Sequence, residues 1–469
     1  MRFHATLFLI PALACLALLA WVLVDARDGS AQESPAPGLV EGIVTDVDGA
    51  PIQGALVSDG VALVVTGADG LFLLSLANED EGATFLVRAS GYADWTRAVA
   101  EVSEIPLDIV LEAQDIRALY LNPMVTNTQP QFNRLIGIID QTSVNAIVID
   151  IKEEWIWYDT QVAFFREAGT VRPLLDLPSL LRQFHEHGIY TIARLVLFQD
   201  SMVAEAYPDL AIRDTTTGEL WRDMNGVAWV NPMAEALWVP NIDLAVEAAG
   251  LGFDEIQYDY IRFPTDGDLS TMDFGTEFSQ AGRERAIEGF LTQSRERLLP
   301  TGARQSADVF GFTMVVDDDL GIGQNFVQLA DLVDYLSPMI YPSHYSDGQF
   351  GLPGHPNDFP YEVVSISLQA GAEKLDGNAR QMRPWLQDFD RDGMTPYGAE
   401  DVLAQIRAAA EVGTSGWMLW DPENRYDTGH LEPEPDAGAL SPVAWLALPS
   451  RVGSGHRKRS AHLTPAAPT

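Results

Sequence analysis

Beginning at Asp115, short apolar runs typical of β-strands alternate with longer amphipathic runs typical of α-helices. Eight strand-like runs follow one another: IRALYLNP, NAIVIDIKEE, YTIARLVLF, FDEIQYDYIRF, RQSADVFGFTM, VDYLSPMIYP, RPWLQDF and GWMLWDPEN. Repeated βα units predict a parallel sheet, and eight of them in a span above the typical ~250 residues predict an α/β fold, a closed (β/α)8 TIM barrel over residues 115–449. An open doubly wound sheet is the alternative, disfavoured because no Gly-rich phosphate loop follows any strand.

Residues 38–112 follow a different pattern, in which short alternating apolar runs are interrupted by Asp-Gly, Gly-Ala and Ser-Gly turns. This pattern predicts a small N-terminal β-sandwich. The spacing G-x-V-x-D-x-x-G-x-P-I-x-G-A, from Gly42 to Ala55, and the later turn Asp69-Gly70 resemble the carboxypeptidase regulatory-like domain. That resemblance implies a spacer or stabilising unit without catalytic residues.

Both ends of the chain differ from the predicted folded regions. Residues 5–24 carry no charge and are followed by a polar stretch with small residues, so residues 1–31 are predicted to be a signal peptide. The run is also about as long as a membrane-spanning helix, roughly 20 residues, so an uncleaved membrane anchor is the alternative. Residues 32–37 are predicted to be a linker, and the basic, Pro- and Ala-rich residues 450–469 a disordered tail. We expect an extracytoplasmic protein, either secreted or tethered to the membrane.

Net charge and cysteine content exclude several partners and sites. The 469 residues carry a formal net charge of −38, which repels phosphate backbones, disfavours a nucleic-acid partner and favours neutral or cationic ligands. The single cysteine, Cys15, lies in the N-terminal apolar run, which leaves the folded regions without a disulfide or a cysteine-based metal site. The sequence identifies no protein partner.

No metal or other cofactor is expected. The eight histidines show no HxH or HExxH spacing, which disfavours a metal-dependent amidohydrolase barrel. The run from Asp388 to Gly393 resembles the start of a calcium loop, but Ala399 stands at the twelfth position, where a bidentate glutamate is required. The chain also lacks the Gly-x-Ser-x-Gly elbow of a serine hydrolase.

The fourth strand-like run, FDEIQYDYIRFP, carries Glu255, Gln257 and Asp259 at alternating positions. Alternate side chains of a strand share one face, so these three polar groups point the same way. The interior of a barrel opens at the C-terminal strand ends into a solvated cleft, where such groups are expected. We therefore expect Gln257 and Asp259 to face the barrel axis, with Tyr258 and Tyr260 outward or at the rim.

Charged residues occur at the same end of other predicted strands. They are Asp150, Lys152 and Glu153 at the end of the second strand, Arg194 in the third, Asp308 at the end of the fifth and Asp421 after the eighth. Any single acid could cap a helix or form half of an ion pair. Four or more acids at one rim favour a functional site.

Aromatic residues accompany the acids at the strand ends and in the loops. The set comprises Trp155, Trp157, Trp221, Trp229, Tyr341, Trp385 and Trp420. Sugars present flat apolar C–H faces beside their hydroxyls, so a cleft of carboxylates and aromatic rings suits a saccharide. Taken singly, each ring is better interpreted as filling a gap between the barrel and its helices.

Seven segments, in order, resemble the bacterial putative glycoside hydrolase domain family, a group of exported TIM-barrel proteins. They are NAIVIDIKEE, LLRQFHEHGIYTIARLVLFQD, GELWRDMNGVAWVNP, LGFDEIQYDYIRFP, DYLSPMIYPSHY, RPWLQDF and GWMLWDPENRY. The resemblance covers residues 116–426 and implies a barrel with a glycosidase-like site, without naming a substrate.

The resemblance also implies roles for single residues. Asp259 occupies the fourth-strand position at which several α-amylase-like and related barrels keep a catalytic carboxylate, and Asp308 the fifth-strand end where the partner acid often lies. Glycoside hydrolysis uses two carboxyls, one as proton donor and the other as nucleophile, stabiliser or base. Asp259 is therefore the expected nucleophile or stabiliser and Asp308 the expected general acid, with Asp150 and Glu153 as competitors for the second role.

The remaining candidates are expected to support the acids or to bind substrate. Lys152 and Arg194, pointing into the cleft, would hold neighbouring carboxylates ionised and keep their pKa values apart. Arg262 would do the same or would fix the following loop. The other expected substrate contacts are Gln257, Tyr341, Trp385, Asp388, Trp420 and Asp421.

The sequence thus predicts a glycoside hydrolase that acts on an extracellular or cell-envelope polysaccharide. One alternative is a barrel that binds saccharide in the cell envelope without turnover. Another is a structural envelope component whose cleft is incidental.

Overall fold

The computed structural model of the chain describes residues 38–77, 82–102, 106–124 and 128–431. The predicted signal segment or anchor, the linker, Cys15 and the C-terminal tail lie outside these residues, so those predictions stay predictions. None of the helices in the described ranges combines the length and the apolar content that a membrane crossing requires.

Short strands form the N-terminal unit: β1 (Leu39–Asp46), β2 (Leu56–Ser58), β3 (Leu63–Val65), β4 (Leu71–Ser75), β5 (Thr84–Arg88), β6 (Trp95–Ala98) and β7 (Leu107–Leu111). They make two sheets, ordered β4-β1-β7 and β3-β2-β5-β6. Val40 and Val44 of β1 are buried in one apolar core with Phe72 and Phe85. The predicted β-sandwich is confirmed, whereas the likeness to the carboxypeptidase regulatory-like domain stays a prediction.

Within the described residues, eight parallel strands close into a barrel, which confirms the predicted TIM-barrel fold. The barrel strands are β8 (Ile116–Leu121), β9 (Ala146–Lys152), β10 (Tyr190–Val196), β12 (Glu255–Asp259), β14 (Arg304–Phe310), β15 (Tyr335–Ile340), β16 (Trp385–Gln387) and β17 (Gly416–Trp420). The last strand pairs with the first, so the sheet has no free edge. Two further short strands, β11 (Arg213–Asp214) and β13 (Met272–Asp273), pair in the loops on either side of β12.

The α-helices of the described residues are α1 (Gln129–Ile139), α2 (Ala163–Ala168), α3 (Leu177–Glu186), α4 (Ser201–Ala206), α5 (Trp238–Leu251), α6 (Gln280–Leu298), α7 (Phe326–Ala330), α8 (Pro360–Lys374) and α9 (Ala399–Val412). All but α2 and α4 fall on segments whose amphipathic pattern predicted them. Those two helices are six residues long, and the sequence did not predict them.

The barrel strands are buried on both faces. All seven residues of β9 are buried, and they alternate between two environments. Ile147 and Ile149 belong to the core between barrel and helices, whereas Ala146 and Val148 belong to a separate cluster inside the barrel. A parallel strand covered on both sides needs such a nearly continuous apolar run. Polar groups on the inner face therefore stand out as functional candidates.

The sandwich contacts the barrel at the N-terminal ends of its strands. Asp94 Oδ2 lies 2.6 Å from Arg88 Nη2, and its Oδ1 lies 2.5 Å from Arg304 Nη2, on the first residue of β14. Burial alone would raise the pKa of Asp94, but the charges of Arg304 and Arg88 lower it. Beside this pair of contacts, Gly91 N donates to Tyr335 Oη at 3.1 Å. An ion network thus joins the two units at the barrel end opposite the C-terminal strand ends.

Closure of the barrel depends on Gly416, which begins β17 in a left-handed conformation with φ +96°. A Cβ at this position would overlap the carbonyl group of Ile116 on β8. Gly413 has a similar φ of +88° at the end of α9, but a Cβ there would meet open space. We expect Gly413→Ala to lower the free energy of unfolding by about 1 kcal/mol, from backbone strain alone. Gly416→Ala should lower it by about 3 kcal/mol or more, because steric overlap adds to the strain.

Urea unfolding of both variants, followed by circular dichroism, measures this difference. Equal costs for the two substitutions would show that the close approach of β17 to β8 does not limit barrel closure.

Candidate active site

Arg194 lies at the centre of a group of buried charges inside the barrel. Its Nη1 is 2.5 Å from Asp150 Oδ1, and its Nη2 donates to Asp259 Oδ2. Its Nε lies 3.7 Å from Asp308 Oδ2. Burial opposes the charge, but the charges of the three carboxylates raise the pKa of Arg194 well above its ordinary value. One guanidinium therefore joins carboxylates of the second, fourth and fifth barrel strands.

Aromatic rings surround this guanidinium. The ring of Trp420 lies 4.9 Å from Arg194 Cζ, and Tyr120 stacks on Trp420 with a centroid distance of 4.0 Å. The Tyr120 hydroxyl donates to Asp150 Oδ2 at 2.6 Å. Both oxygens of Asp150 are therefore engaged, one by Arg194 and one by Tyr120. Asp150 is fully buried behind the cleft and supports the arginine instead of facing the solvent.

Asp259 ends β12 with both carboxylate oxygens held. Arg194 binds Oδ2, and the backbone N–H of Tyr260 donates to Oδ1 at 2.6 Å. Directly after Asp259, Tyr260 adopts a left-handed conformation with φ +49°. Such backbone costs free energy in a bulky residue and concentrates at functional sites. Two hydrogen bonds therefore fix the orientation of the carboxylate.

Asp308, on β14, has a different environment. Its Oδ1 accepts a hydrogen bond from Trp385 Nε1 at 2.8 Å, whereas its Oδ2 is buried with no hydrogen-bond partner among the described residues. Burial, followed by the charge of Asp259, raises the pKa of Asp308 well above its ordinary value, and Arg194 only partly opposes this. Asp308 is therefore the carboxyl of the cavity lining that its surroundings drive towards the protonated form.

A cavity of about 570 Å³ lies over these groups, at the C-terminal ends of the barrel strands. Seven of the thirteen residues predicted for the site line it: Arg194, Asp259, Arg262, Asp308, Tyr341, Trp385 and Trp420. Burial, and then the charges of Asp308 and Asp259, raise the pKa of Tyr341 well above its ordinary value, which keeps its hydroxyl protonated. The lining combines two carboxyls, two arginines and several aromatic rings.

The expectation that Lys152 points into the cleft is wrong. A bulge where β9 pairs with β10 sets Arg194 beside Asp150 but Leu195 beside Lys152, so Lys152 turns to the helix-facing side. There its Nζ lies 2.8 Å from Asp200 Oδ2, and this aspartate caps α4. Lys152 therefore fixes a helix start and does not contact the acids of the cleft.

Gln257 and Glu153 also lie outside the cavity lining. Gln257 faces the axis as expected, but one step below the cleft, where its Nε2 donates to Ser337 Oγ at 3.1 Å. Glu153 lies partly buried in the loop after β9, and its Oε2 accepts a hydrogen bond from Trp157 Nε1 at 3.1 Å. Neither residue reaches the cavity in this structure.

Asp388 and Asp421 organise the loops behind the rim and do not line the cavity. Asp388 Oδ1 lies 2.8 Å from His430 Nδ1, and burial raises the pKa of this aspartate to about 6 while the histidine opposes the rise. Asp421 accepts backbone N–H bonds from Glu423 at 2.9 Å and Arg425 at 2.8 Å, which is the pattern of a loop cap. The expectation of direct sugar contacts at these two residues has no support in the geometry.

Tyr260, expected outward or at the rim, lines the cavity. Sequence reasoning missed several other lining residues: Phe310, Gly311, Phe312, Met339, His344, Tyr345, Ser346 and Gln349. Most belong to loops whose path a pattern of strands and helices does not reveal. One clue to a close approach was visible in the sequence, because a glycine, Gly311, directly follows β14. A Cβ at this position would lie 2.7 Å from Tyr345 Oη, so only glycine leaves room for that side chain. In the described residues, no cluster of three or more His, Cys, Asp or Glu side chains is arranged to hold a metal ion.

Glu153 makes the site region sensitive to pH. Burial, together with the charge of Asp150, raises its pKa from 4.5 to about 6. A carboxyl with a higher pKa in the folded state binds its proton more tightly there, so it favours folding at low pH and loses this contribution as pH rises through that interval. We expect the free energy of unfolding to fall between about pH 4.5 and 6, and Glu153→Gln to reduce the slope.

Urea unfolding at closely spaced pH values tests this, with Glu167→Gln, an exposed carboxylate, as the control. If the free energy of unfolding of Glu153→Gln depends on pH as steeply as that of the wild type, Glu153 is not the cause of this pH dependence.

The chain is similar to several solved structures. The PgaB (BpsB) glycoside hydrolase domain from Bordetella bronchiseptica is 13% identical, with a TM-score of 0.50, over 68% of this chain and 99% of that one. A chitinase from Chromobacterium violaceum is 12% identical, with a TM-score of 0.43, over 67% of this chain and 96% of the chitinase. A hypothetical protein from Ruminiclostridium thermocellum is 32% identical, with a TM-score of 0.37, over 41% of this chain and 97% of its own. At 13% identity, the Bordetella domain supports the barrel fold alone.

Family membership comes from the sequence itself. No curated protein matches the chain. The profile of a family described as "Putative glycosyl hydrolase domain" matches residues 118–426, from the first barrel strand to the loop after the last. This match covers well over half of the chain, so the protein belongs to that glycosyl hydrolase-like family.

Proposed function

We propose that the protein is a glycoside hydrolase that cleaves an extracellular or cell-envelope polysaccharide with two carboxyl groups. The family and the barrel support the general class, and the cavity supports the chemistry. The proposal that the substrate lies outside the cytoplasm rests on the uncharged run of residues 5–24, which is typical of a signal peptide. One observation carries the proposal: Asp308, whose Oδ2 has no hydrogen-bond partner among the described residues, lines the same cavity as Asp259.

Asp308 is the proton donor in this proposal. Its raised pKa keeps it protonated at a pH at which an ordinary aspartate is ionised. The hydrogen bond from Trp385 fixes Oδ1, so Oδ2 is the oxygen that is free to give a proton to the glycosidic oxygen. After bond cleavage, the Asp308 carboxylate stands 3.7 Å from Arg194 Nε, which stabilises the new charge.

Asp259 is the nucleophile or the stabiliser of the oxocarbenium ion. Arg194 and Tyr260 N–H hold both its oxygens, so its orientation is set before the sugar binds. Asp150 contributes by holding Arg194 from the other side, and we assign it a positioning role. The rings of Tyr341, Trp385 and Trp420 supply flat apolar surfaces for the sugar.

Substitutions of the two acids test the proposal. Reducing-end release is measured on a panel of bacterial exopolysaccharides and wall glycans. We expect Asp308→Asn and Asp259→Asn each to lower turnover by about 10³-fold, because each removes one half of the acid/base pair. Saccharide binding, measured by calorimetry, should largely persist in both variants. Asp347→Asn, an exposed carboxylate in the loop beside the cavity, should behave as the wild type.

Two outcomes would contradict hydrolysis. Turnover that survives in both aspartate variants would place the chemistry elsewhere. Binding of a glycan by the wild type without any reducing-end release would favour the non-catalytic saccharide-binding alternative.

Trp385→Phe probes the proton donor directly. The indole N–H stabilises the ionised form of Asp308 and so lowers its pKa. Removing that bond should raise the pKa of Asp308 further. The alkaline limb of the pH profile of kcat/KM should then shift towards higher pH. Trp417→Phe, a buried ring on the helix-facing side of β17, is the control and should leave the limb in place. An unshifted limb in Trp385→Phe would exclude Asp308 as the titrating acid.

A further inference from the structure

Arg262 differs from every other buried arginine of the described residues. Five arginines are buried there, and four of them pair with a carboxylate: Arg88 with Asp94, Arg194 with Asp150, Arg304 with Asp94 and Arg383 with Glu255. Arg262 is 8% exposed, and no carboxylate of the described residues lies within ion-pair distance of it. In a chain with 67 acidic and 29 basic residues, an unpaired buried cation needs a physical reason.

The surroundings of Arg262 hold its guanidinium in place and leave part of it free. The rings of Trp229, Tyr260 and Phe310 lie 5.0, 4.9 and 4.7 Å from its Cζ. Its Nη1 donates to Phe263 O at 3.0 Å. The Nε and Nη2 groups make no hydrogen bond with the described residues. Cation–π contacts fix the plane of the fork but leave these donors unsatisfied.

Arg262 lines the same cavity as the two acids, three residues after Asp259. Burial lowers its pKa, and the electrostatic influence of Tyr260, Asp259, Asp266 and Asp223 opposes this only in part. Arg194 shows the opposite balance, because its three carboxylates raise its pKa. The cavity therefore contains one arginine that forms ion pairs with carboxylates and one that forms none among the described residues.

We propose that Arg262 binds an anionic group of the substrate, a carboxylate or a sulfate ester carried by the sugar next to the scissile bond. A guanidinium with free Nε and Nη2 donors matches the geometry of such a group, which can accept two parallel hydrogen bonds. The inference deepens the proposed function and rests on it for the position of the scissile bond. It names the substrate class as an acidic polysaccharide.

The net charge of −38 does not oppose this assignment at the site. Surface charges are screened over about 8 Å at physiological ionic strength, whereas a buried guanidinium acts in a medium of low polarity. The three rings limit access of water to Arg262, so an anion there meets a strong local attraction.

Monosaccharides test the site without knowledge of the linkage. Calorimetry compares D-glucuronate, D-galacturonate and D-mannuronate with their parent hexoses, and glucose 6-sulfate with glucose. We expect at least one anionic sugar to bind about tenfold or more tightly than its neutral parent. Comparison of glucuronate with glucose 6-sulfate distinguishes the carboxylate from the sulfate ester. Arg262→Gln should abolish the preference, while Arg425→Gln, an exposed arginine outside the cavity, should keep it.

Further variants protect the test against loss of folding and separate the two proposals. Arg262→Lys keeps the charge but loses the fork, so it should retain a reduced preference. Asp259→Asn and Asp308→Asn should keep the preference in full. If the preference is present but the wild type cleaves no glycan, hydrolysis fails and the anion site stands. No preference for any anionic sugar, or a preference that survives in Arg262→Gln, overturns the anion site alone.

Discussion

The contact of Arg194 with three carboxylates is the interaction on which the candidate site depends. Carboxylates buried together inside a barrel repel one another and lose hydration, so without a cation each would keep its proton. Arg194 binds Asp150 and Asp259 directly but stands 3.7 Å from Asp308. Burial and the charge of Asp259 raise the pKa of Asp308 well above its ordinary value, and the weaker pairing with Arg194 opposes this only in part.

The fourth barrel strand shows how one face can serve two purposes. Glu255, at the bottom, pairs with Arg383, and Gln257, one step higher, bonds Ser337. Buried polar groups need such partners, and these contacts hold the barrel interior together. Asp259 stands at the top of the same row, where the interior opens into the cavity. The same alternation thus places paired polar groups inside the barrel and a residue of the candidate site at its mouth.

The features of the fold and of the site that could be predicted from the sequence are those that follow from the regular alternation of side chains along strands. Eight strands, the inward direction of Asp259 and the position of Asp308 depend on a period of two and on parallel strand ends that meet at one rim. Lys152 was misplaced because a single bulge reverses the side to which a residue points, and alternation cannot reveal a bulge. The unpaired state of Arg262 was equally invisible, since it depends on three rings from separate segments. Loop residues of the cavity were missed for the same reason.

The position of the sandwich has a consequence for how such a protein can change over evolution. Arg88, Asp94 and Arg304 join the two units at the N-terminal pole of the barrel, while the cavity occupies the other pole. Loops at the cavity pole can lengthen, shorten or exchange residues without changing the contacts between the sandwich and the barrel. Mutations that adapt the cavity to a new glycan therefore need not weaken the scaffold that carries it.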